Sequence, residues 1–253
     1  MKIDLNCDLG ESFGAYTIGN DEALLPLLTS ANIACGYHAG DPQVMARTVR
    51  LAAQHGVAVG AHPGFPDLAG FGRRAMQLSP EEIENCVLYQ VGALAAFARA
   101  AGVPLVHVKP HGALYNLAAG DPAIAAAIAR GAASFSRDLI LVGLANSAAM
   151  AEAAQAAGLR FAAEAFADRV YNPDGTLQSR RIAGSLITDP ARAAAQAVRI
   201  ARDGLVLAHD GTHVAIHADT LCLHGDNPAA LANAQAVRQA LAAAGIEVQA
   251  LVK

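Results

Sequence analysis

Lys2-Ile-Asp-Leu-Asn-Cys-Asp-Leu-Gly-Glu11 is the stretch on which the fold turns. Its first residues, Lys2–Leu5, read as a strand. The continuation, Asn6-Cys7-Asp8-Leu9-Gly10-Glu11, is neither G-x-G-x-x-G nor G-x-x-x-x-G-K-[ST]. Those are the glycine-rich turns with which an open nucleotide-binding sheet cradles phosphate after its first strand. Further strand candidates follow at Asn32–Ala34, Val57–Gly60, Leu105–Val108, Leu139–Val142, Phe161–Ala163 and Thr220–Leu223. Ala-rich helical segments separate them. Strand–helix alternation of this kind implies a parallel sheet with crossover helices. The strands read as continuous apolar runs, as expected of strands buried on both faces. A length of 253 residues matches the usual barrel size. The expected fold is therefore α/β, an irregular seven-stranded (β/α) barrel, forming one domain over residues 1–253.

Helix starts are marked by capping side chains. Asp41-Pro42, Ser79-Pro80, Asp121-Pro122, Asp189-Pro190 and Asn227-Pro228 each place a cap before a proline at the first helical position. Ser79 with Glu82 makes a capping box. One piece breaks the rhythm. Leu205–Ala208, Asp210-Gly211 and Thr212–Ile216 read as a β-hairpin, which makes His209, His213 and His217 surface residues rather than a helical metal triad.

Composition narrows the function. The net charge is −4 and charged residues make up 16%, which argues against a nucleic-acid partner. No apolar run reaches the length of a membrane span. The N-terminus does not read as a signal peptide, so the cytoplasm is the expected location. Cys7, Cys35, Cys86 and Cys222 form no C-x-x-C pair and read as reduced, mostly buried thiols.

In a parallel α/β barrel the reactive groups gather at the carboxyl ends of the strands. Here the candidate strands run into Asn6 and Asp8, into His38, into His62, into Lys109 and His111, into Glu164, Asp168 and Arg169, and into His224. Asp41 has the plainer reading of a helix cap, and Asp226 of helping to cap the last helix. His55 and His107 read as structural. Lys109 is one of only three lysines, with Lys2 and Lys253, in a chain that otherwise uses arginine. An ammonium at a strand end suits an oxyanion. Arg73-Arg74 and Arg180-Arg181 lie in glycine-containing loops and suit a carboxylate or phosphate. Histidines and carboxylates around one cup fit either metal-assisted hydrolysis or metal-free acid–base chemistry on an amide or carbonyl.

Seven longer motifs now stand out: Asp4-Leu-Asn-Cys-Asp-Leu-Gly-Glu-Ser-Phe-Gly14, Ser30-Ala-Asn-Ile-Ala-Cys-Gly-Tyr-His-Ala-Gly-Asp-Pro42, Gly60-Ala-His-Pro-Gly-Phe-Pro-Asp67, Gly70-Phe-Gly-Arg-Arg74, Val108-Lys-Pro-His-Gly-Ala-Leu-Tyr-Asn116, Glu164-Ala-Phe-Ala-Asp-Arg169 and Cys222-Leu-His-Gly-Asp-Asn-Pro228. Together they closely resemble the LamB/YcsF family. The resemblance implies a barrel like that of the glycoside hydrolase/deacetylase superfamily. It also implies the A component of an ATP-dependent 5-oxoprolinase, working with B- and C-type subunits to convert 5-oxo-L-proline, ATP and water to L-glutamate, ADP and phosphate. Tyr37 and Phe65 stand where the family pattern leads one to expect Phe and Tyr. Ile182-Ala183-Gly184-Ser185 departs from the Pro-Gly-Ala associated with the family, which weakens the case for the Arg180-Arg181 loop.

The expected catalytic set is Asp8, His38, His62, His111, Glu164 and His224. The expected substrate-binding set is Asn6, Lys109, Asp168, Arg169, Arg73 and Arg74. Any divalent metal is expected on Asp8, His38 and His62. The competing readings are a stand-alone metal-dependent amide hydrolase or deacetylase and a non-catalytic lactam-binding subunit. The Ala-rich helices after Asp121 and Asp189 offer a packing face for another protein, and a homo-oligomer is a further expected partner.

Overall fold

A computed structural model describes residues 1–251. Its strands are β1 (Lys2–Leu9), β2 (Ser30–Ala34), β3 (Ala58–His62), β4 (Leu105–Val108), β5 (Ile140–Leu144), β6 (Arg160–Phe166), β7 (Leu205–Leu207), β8 (His213–Ala215), β9 (Thr220–His224) and β10 (Glu247–Val248). Its α-helices are α1 (Asp21–Leu24), α2 (Pro42–Gln54), α3 (Pro80–Ala100), α4 (Gly112–Ala118), α5 (Pro122–Phe135), α6 (Ala148–Ala157), α7 (Pro190–Asp203) and α8 (Ala230–Ala243). Strands β1 to β6 pair in chain order, β6 pairs with β9, and β9 returns to β1. All these pairings are parallel. The result is a closed, irregular seven-stranded (β/α) barrel. Short β10 adds to the start of β1.

The expected continuous apolar strands are corrected by β1. It alternates Ile3, Leu5, Cys7 and Leu9 with Asp4, Asn6 and Asp8, and every one of these residues is buried. The first set joins the main apolar cluster, together with helical residues such as Val49 and Leu241. The second set meets polar partners across the barrel. Asp4 accepts hydrogen bonds from Ser30 and Thr220. Asn6 donates to Glu164, and Asn32 donates to both Asn6 and Asp8. The interior of this barrel is thus polar and hydrogen-bonded, and the apolar core lies between sheet and helices.

Strands also run further than the sequence suggested. Asn6, Asp8, His62, Glu164 and His224 lie within strands, Asp8, His62 and His224 at or next to their ends, and not in the loops after them. Strand geometry therefore fixes their directions. The helix caps form as expected at Asp41, Ser79, Asp121 and Asp189. Asn227 is different. Helix α8 begins at Ala230 without a side-chain cap, and the Asn227 amide instead donates to Asp168. Strands β7 and β8 form the expected antiparallel hairpin, and His209, His213 and His217 are exposed on or beside it.

Gly60 shows how tightly the interior is filled. A Cβ there would lie 2.0 Å from Nε2 of His107, whose ring reaches Asn32 Oδ1 at 2.7 Å. Gly60→Ala is expected to cost at least about 1–3 kcal/mol through overpacking. Gly92 lies within α3, and a Cβ there meets nothing within 4 Å. Gly92→Ala is expected to add roughly 0.5–1 kcal/mol by reducing the entropy lost on folding. Urea unfolding of the two variants measures both signs.

Candidate active site

The floor of the site is an ion cluster. Lys109 Nζ lies 2.7 Å from Asp8 Oδ1, 2.9 Å from Glu164 Oε1 and 3.0 Å from Cys222 Sγ. Lys109 is 2% exposed and Glu164 is 0% exposed. Burial disfavours the ammonium, but Asp8, Cys222 and Glu164 outweigh it and hold Lys109 well above the ordinary lysine value. Burial also raises the Asp8 carboxyl, yet His62 and Lys109 outweigh that and hold it well below the usual range. Lys109 is consequently a charged floor whose hydrogen bonds are committed to the protein.

Above this floor, four buried residues meet from four strand ends: Glu11 beyond β1, His38 beyond β2, His62 at the end of β3 and His111 beyond β4. His62 Nδ1 sits 2.7 Å from the Lys109 carbonyl. His111 Nε2 sits 2.8 Å from the Phe71 carbonyl. A carbonyl oxygen only accepts, so both nitrogens carry hydrogen. The remaining nitrogens, His62 Nε2 and His111 Nδ1, face each other at 3.0 Å. Glu11 Oε1 lies 3.3 Å from His111 Nδ1 and 3.4 Å from His38 Nε2. His38 and His111 stack with ring centroids 3.7 Å apart. Burial, reinforced by His111, pushes His38 down to about 3. Burial lowers His111 as well.

The loop behind these rings is built closely around them. Phe71 holds φ at 54°, the one positive value outside glycine among the described residues. For a bulky side chain that costs on the order of 1–3 kcal/mol, and it aims the Phe71 carbonyl at His111. Cβ atoms at Gly64 and Gly72 would stand 2.8 Å and 2.9 Å from atoms of His38.

A second imidazole lies across the cavity. His224 Nδ1 is 2.8 Å from Asp168 Oδ1, and the His224 backbone N–H donates to the other Asp168 oxygen. Asn227 donates to Asp168 too. The carboxylate fixes the tautomer and the orientation of the ring, as the acid of a His–Asp pair does. One oxygen of Asp8, Cys222 Sγ and one nitrogen of His224 fall within 4.8 Å of one another.

The cavity over these groups measures about 700 Å³. Asp8, His62, Lys109, His111 and His224 line it, and its outer wall carries Arg73, Arg169, Arg180 and Arg181. Asp226 receives hydrogen bonds from Arg73 and Arg180. Arg169 is buried, its Nε has no hydrogen-bond partner, and burial together with Arg180 pulls it down to about 10. Positive charge therefore gathers at the mouth.

Not every expected residue reaches this cavity. Asn6, Glu164 and Asp168 lie beneath or behind the lining, and His38 stands behind His111. Arg74 turns outward to pair with Asp67, whereas its neighbour Arg73 faces the site. Glu11 and Tyr115 join the lining without having been singled out as site residues, and Arg180 and Arg181 join it although the departure at 182–185 weakens their case. For Glu11 the available signal was its place just beyond the first strand, beside Gly10. The four cysteines are free thiols, three of them buried. Burial pushes Cys35 up to about 12.

The sequence model of the LamB/YcsF family matches residues 3–253. The chain belongs to the LamB/YcsF family. It is 59% identical over 98% of both chains to the A-type subunit of 5-oxoprolinase from Chloroflexus aggregans. It is 61% identical, over 98% of its own length and 95% of the relative's, to the A-type subunit of 5-oxoprolinase from Methylococcus capsulatus. The crystal structure of a lactam utilization protein from Thermus thermophilus superposes with a TM-score of 0.93 at 54% identity, covering 99% of this chain and 100% of that one. The catalytic domain of a peptidoglycan N-acetylglucosamine deacetylase from Eubacterium rectale shares the fold at a TM-score of 0.51 and 11% identity, over 99% and 88% of the two chains.

Asp168 supplies a pH test. Burial raises its carboxyl, but His224 and Asn227 outweigh that and hold it below the usual value. A depressed folded-state pKa stabilises the protein above the unfolded value of about 3.9, and the stabilisation is lost as pH falls through the folded value. Asp168→Asn is expected to lower stability at pH 7 and to flatten its decline below about pH 4, read from urea midpoints across pH.

Proposed function

We propose that this LamB/YcsF chain is the A component of an ATP-dependent 5-oxoprolinase, a hydrolase that opens the lactam of 5-oxo-L-proline to L-glutamate with B- and C-type partner subunits. The observation that carries the reading is the pairing of Asp8 and the Asp168-backed His224 across less than 4.8 Å at the base of a cavity ringed by arginines. The A-type relatives at 59% and 61% identity support it.

An unstrained lactam is stabilised by resonance, and water attacks it slowly. Phosphorylation of its oxygen, the task assigned to the partners and their ATP, makes C5 imidate-like and electrophilic. Water held against Asp8 adds to C5. The resulting tetrahedral carbon carries hydroxyl, phosphoryl oxygen and ring nitrogen. Asp8 takes one proton of that water, and proton donation from His224 to the ring nitrogen breaks the C5–N bond, with Asp168 as the positioning residue. The hydroxyl gives up its proton as the C5 carbonyl forms, leaving an acyl phosphate of glutamate whose hydrolysis by a second water releases L-glutamate and phosphate. The arginine wall of Arg73, Arg169 and Arg180 holds the substrate carboxylate or the phosphoryl group. Lys109 keeps Asp8 ionised and in place. Glu164, expected among the acids, serves through Lys109 instead. An ATP-using reaction of this kind belongs in the cytoplasm, and no helix among the described residues is long and apolar enough to cross a membrane.

The full chain mixed with its partner subunits is expected to release glutamate only when ATP is present. His224→Ala is expected to lower kcat by about 10²–10⁴, the usual contribution of a general acid. Glutamate formation by the chain alone, without ATP, favours the stand-alone amide hydrolase. Turnover undiminished in both Asp8→Asn and His224→Ala leaves the chain with a lactam-binding role only.

A further inference from the structure

Glu11, His38, His62 and His111 offer one donor atom each, and these four atoms all lie within 4.8 Å of one another. The four side chains are buried. Carbonyl oxygens take the Nδ1 hydrogen of His62 and the Nε2 hydrogen of His111. The lone pairs of the opposite nitrogens therefore point inward, at each other and at a carboxylate oxygen. Glu11 Oε1 and both ring nitrogens of His38 have no hydrogen-bond partner.

Buried lone pairs that converge in this way need positive charge between them. A single proton between His62 Nε2 and His111 Nδ1 satisfies that one contact and leaves Glu11 Oε1 and His38 unpartnered. A central cation satisfies all four donors. The spacing agrees with this. Four ligands at about 2.0–2.1 Å from a tetrahedral ion lie about 3.3 Å apart. The separations here are 3.0 Å for His62–His111, 3.3 Å for Glu11–His111, 3.4 Å for Glu11–His38 and 4.0 Å for Glu11–His62. Glu11, His62 and His111 are spaced for an ion as they stand, whereas His38, stacked on His111 with ring planes 4° apart, must tilt to bring its lone pair onto the same ion.

We propose that Glu11, His38, His62 and His111 form a binding site for one divalent transition-metal ion. Three imidazoles and one carboxylate suit zinc, cobalt, nickel or iron(II), whereas magnesium and calcium ask for oxygen ligands. Asp8, expected among the ligands from the sequence, borders this set without belonging to it. Its Oδ1 is committed to Lys109 and Asn32, and its Oδ2 lies 3.3 Å from His62 Nε2, but it is not among the four donors that all lie within 4.8 Å of one another. The neighbouring group of Asp8, Cys222 and His224 is not a second site. The Lys109 ammonium, bonded to Asp8 and Cys222, already provides positive charge there. A bound ion would polarise a carbonyl oxygen or lower the pKa of a coordinated water at the wall of the cavity. The proposal stands apart from the lactam chemistry, because ion binding is measured without substrate.

The test uses the full chain, stripped with a chelator and titrated with Co²⁺ and with Zn²⁺ by calorimetry and visible absorption. One ion per chain is expected, with the absorption bands of low-coordinate Co²⁺ and a raised Tm. Since loss of an outer-sphere partner weakens metal binding about 10–100-fold, loss of a direct ligand in Glu11→Gln, His38→Ala or His111→Ala is expected to weaken it by at least about 100-fold. Asp8→Asn is expected to keep a stoichiometry of one. Circular dichroism of the metal-free variants separates lost binding from lost folding. No stoichiometric uptake by folded wild-type protein overturns the proposal and leaves His62 and His111 sharing a proton. Uptake that survives in both His38→Ala and His111→Ala, or that depends on Asp8 but not on Glu11, overturns it too.

Discussion

The ammonium of Lys109 is the constraint on which the rest of the site depends. It sits 2% exposed inside a closed barrel, with Asp8 on one side and Glu164 on the other. Removing one partner from a buried ion cluster leaves uncompensated charge and costs about 3–5 kcal/mol. The three groups therefore keep one another in place. Because Asp8, Lys109 and Glu164 come from β1, the end of β4 and β6, the cluster ties three separated strands together at the level of the rim. The Lys109 carbonyl also holds the far nitrogen of His62.

A polar interior changes what this barrel can do. The usual parallel barrel fills its centre with branched apolar side chains. Here Asp4, Asn6, Asn32, His107 and Thr220 fill it through hydrogen bonds. The apolar free energy of folding is drawn instead from the shell between strands and helices, where Leu5, Leu9, Val49, Leu221 and Leu241 are buried. Polar networks of this kind fix direction better than apolar contacts do, since each donor needs its acceptor. Asp8 and the imidazoles above it inherit fixed directions, which is what proton transfer or ion binding requires.

Much of this was legible in the sequence. The caps at Asp41, Ser79, Asp121 and Asp189 act within a few residues, so local reading found them. The strand–helix rhythm, with ionisable residues at the strand ends, was enough to place Asp8, His62, His111 and His224 around one cavity. What escaped depended on contacts far apart in the chain. The alternation in β1 was visible, but its polar face had a meaning only once the barrel closed around it. Lys109 was singled out at the right place, yet its partners, Asp8 and Glu164, lie 101 residues before it and far after it. Arg73 and Arg74 are adjacent and alike, and only the loop conformation sends one to the cavity and the other to Asp67. Asn227 has the sequence of a cap but lies where Asp168 can claim its amide. Glu11 was passed over because its histidine partners come from three other strand ends.

The central claim is that Lys109 is a fixed, desolvated cation bridging two carboxylates at the floor of the site. With only three lysines in the chain, side-chain ¹⁵N NMR at neutral pH tests it directly. One ammonium resonance is expected whose protons exchange slowly with water, and which disappears from that class in Asp8→Asn. Three rapidly exchanging lysine signals, or a neutral amine at Lys109, would contradict it.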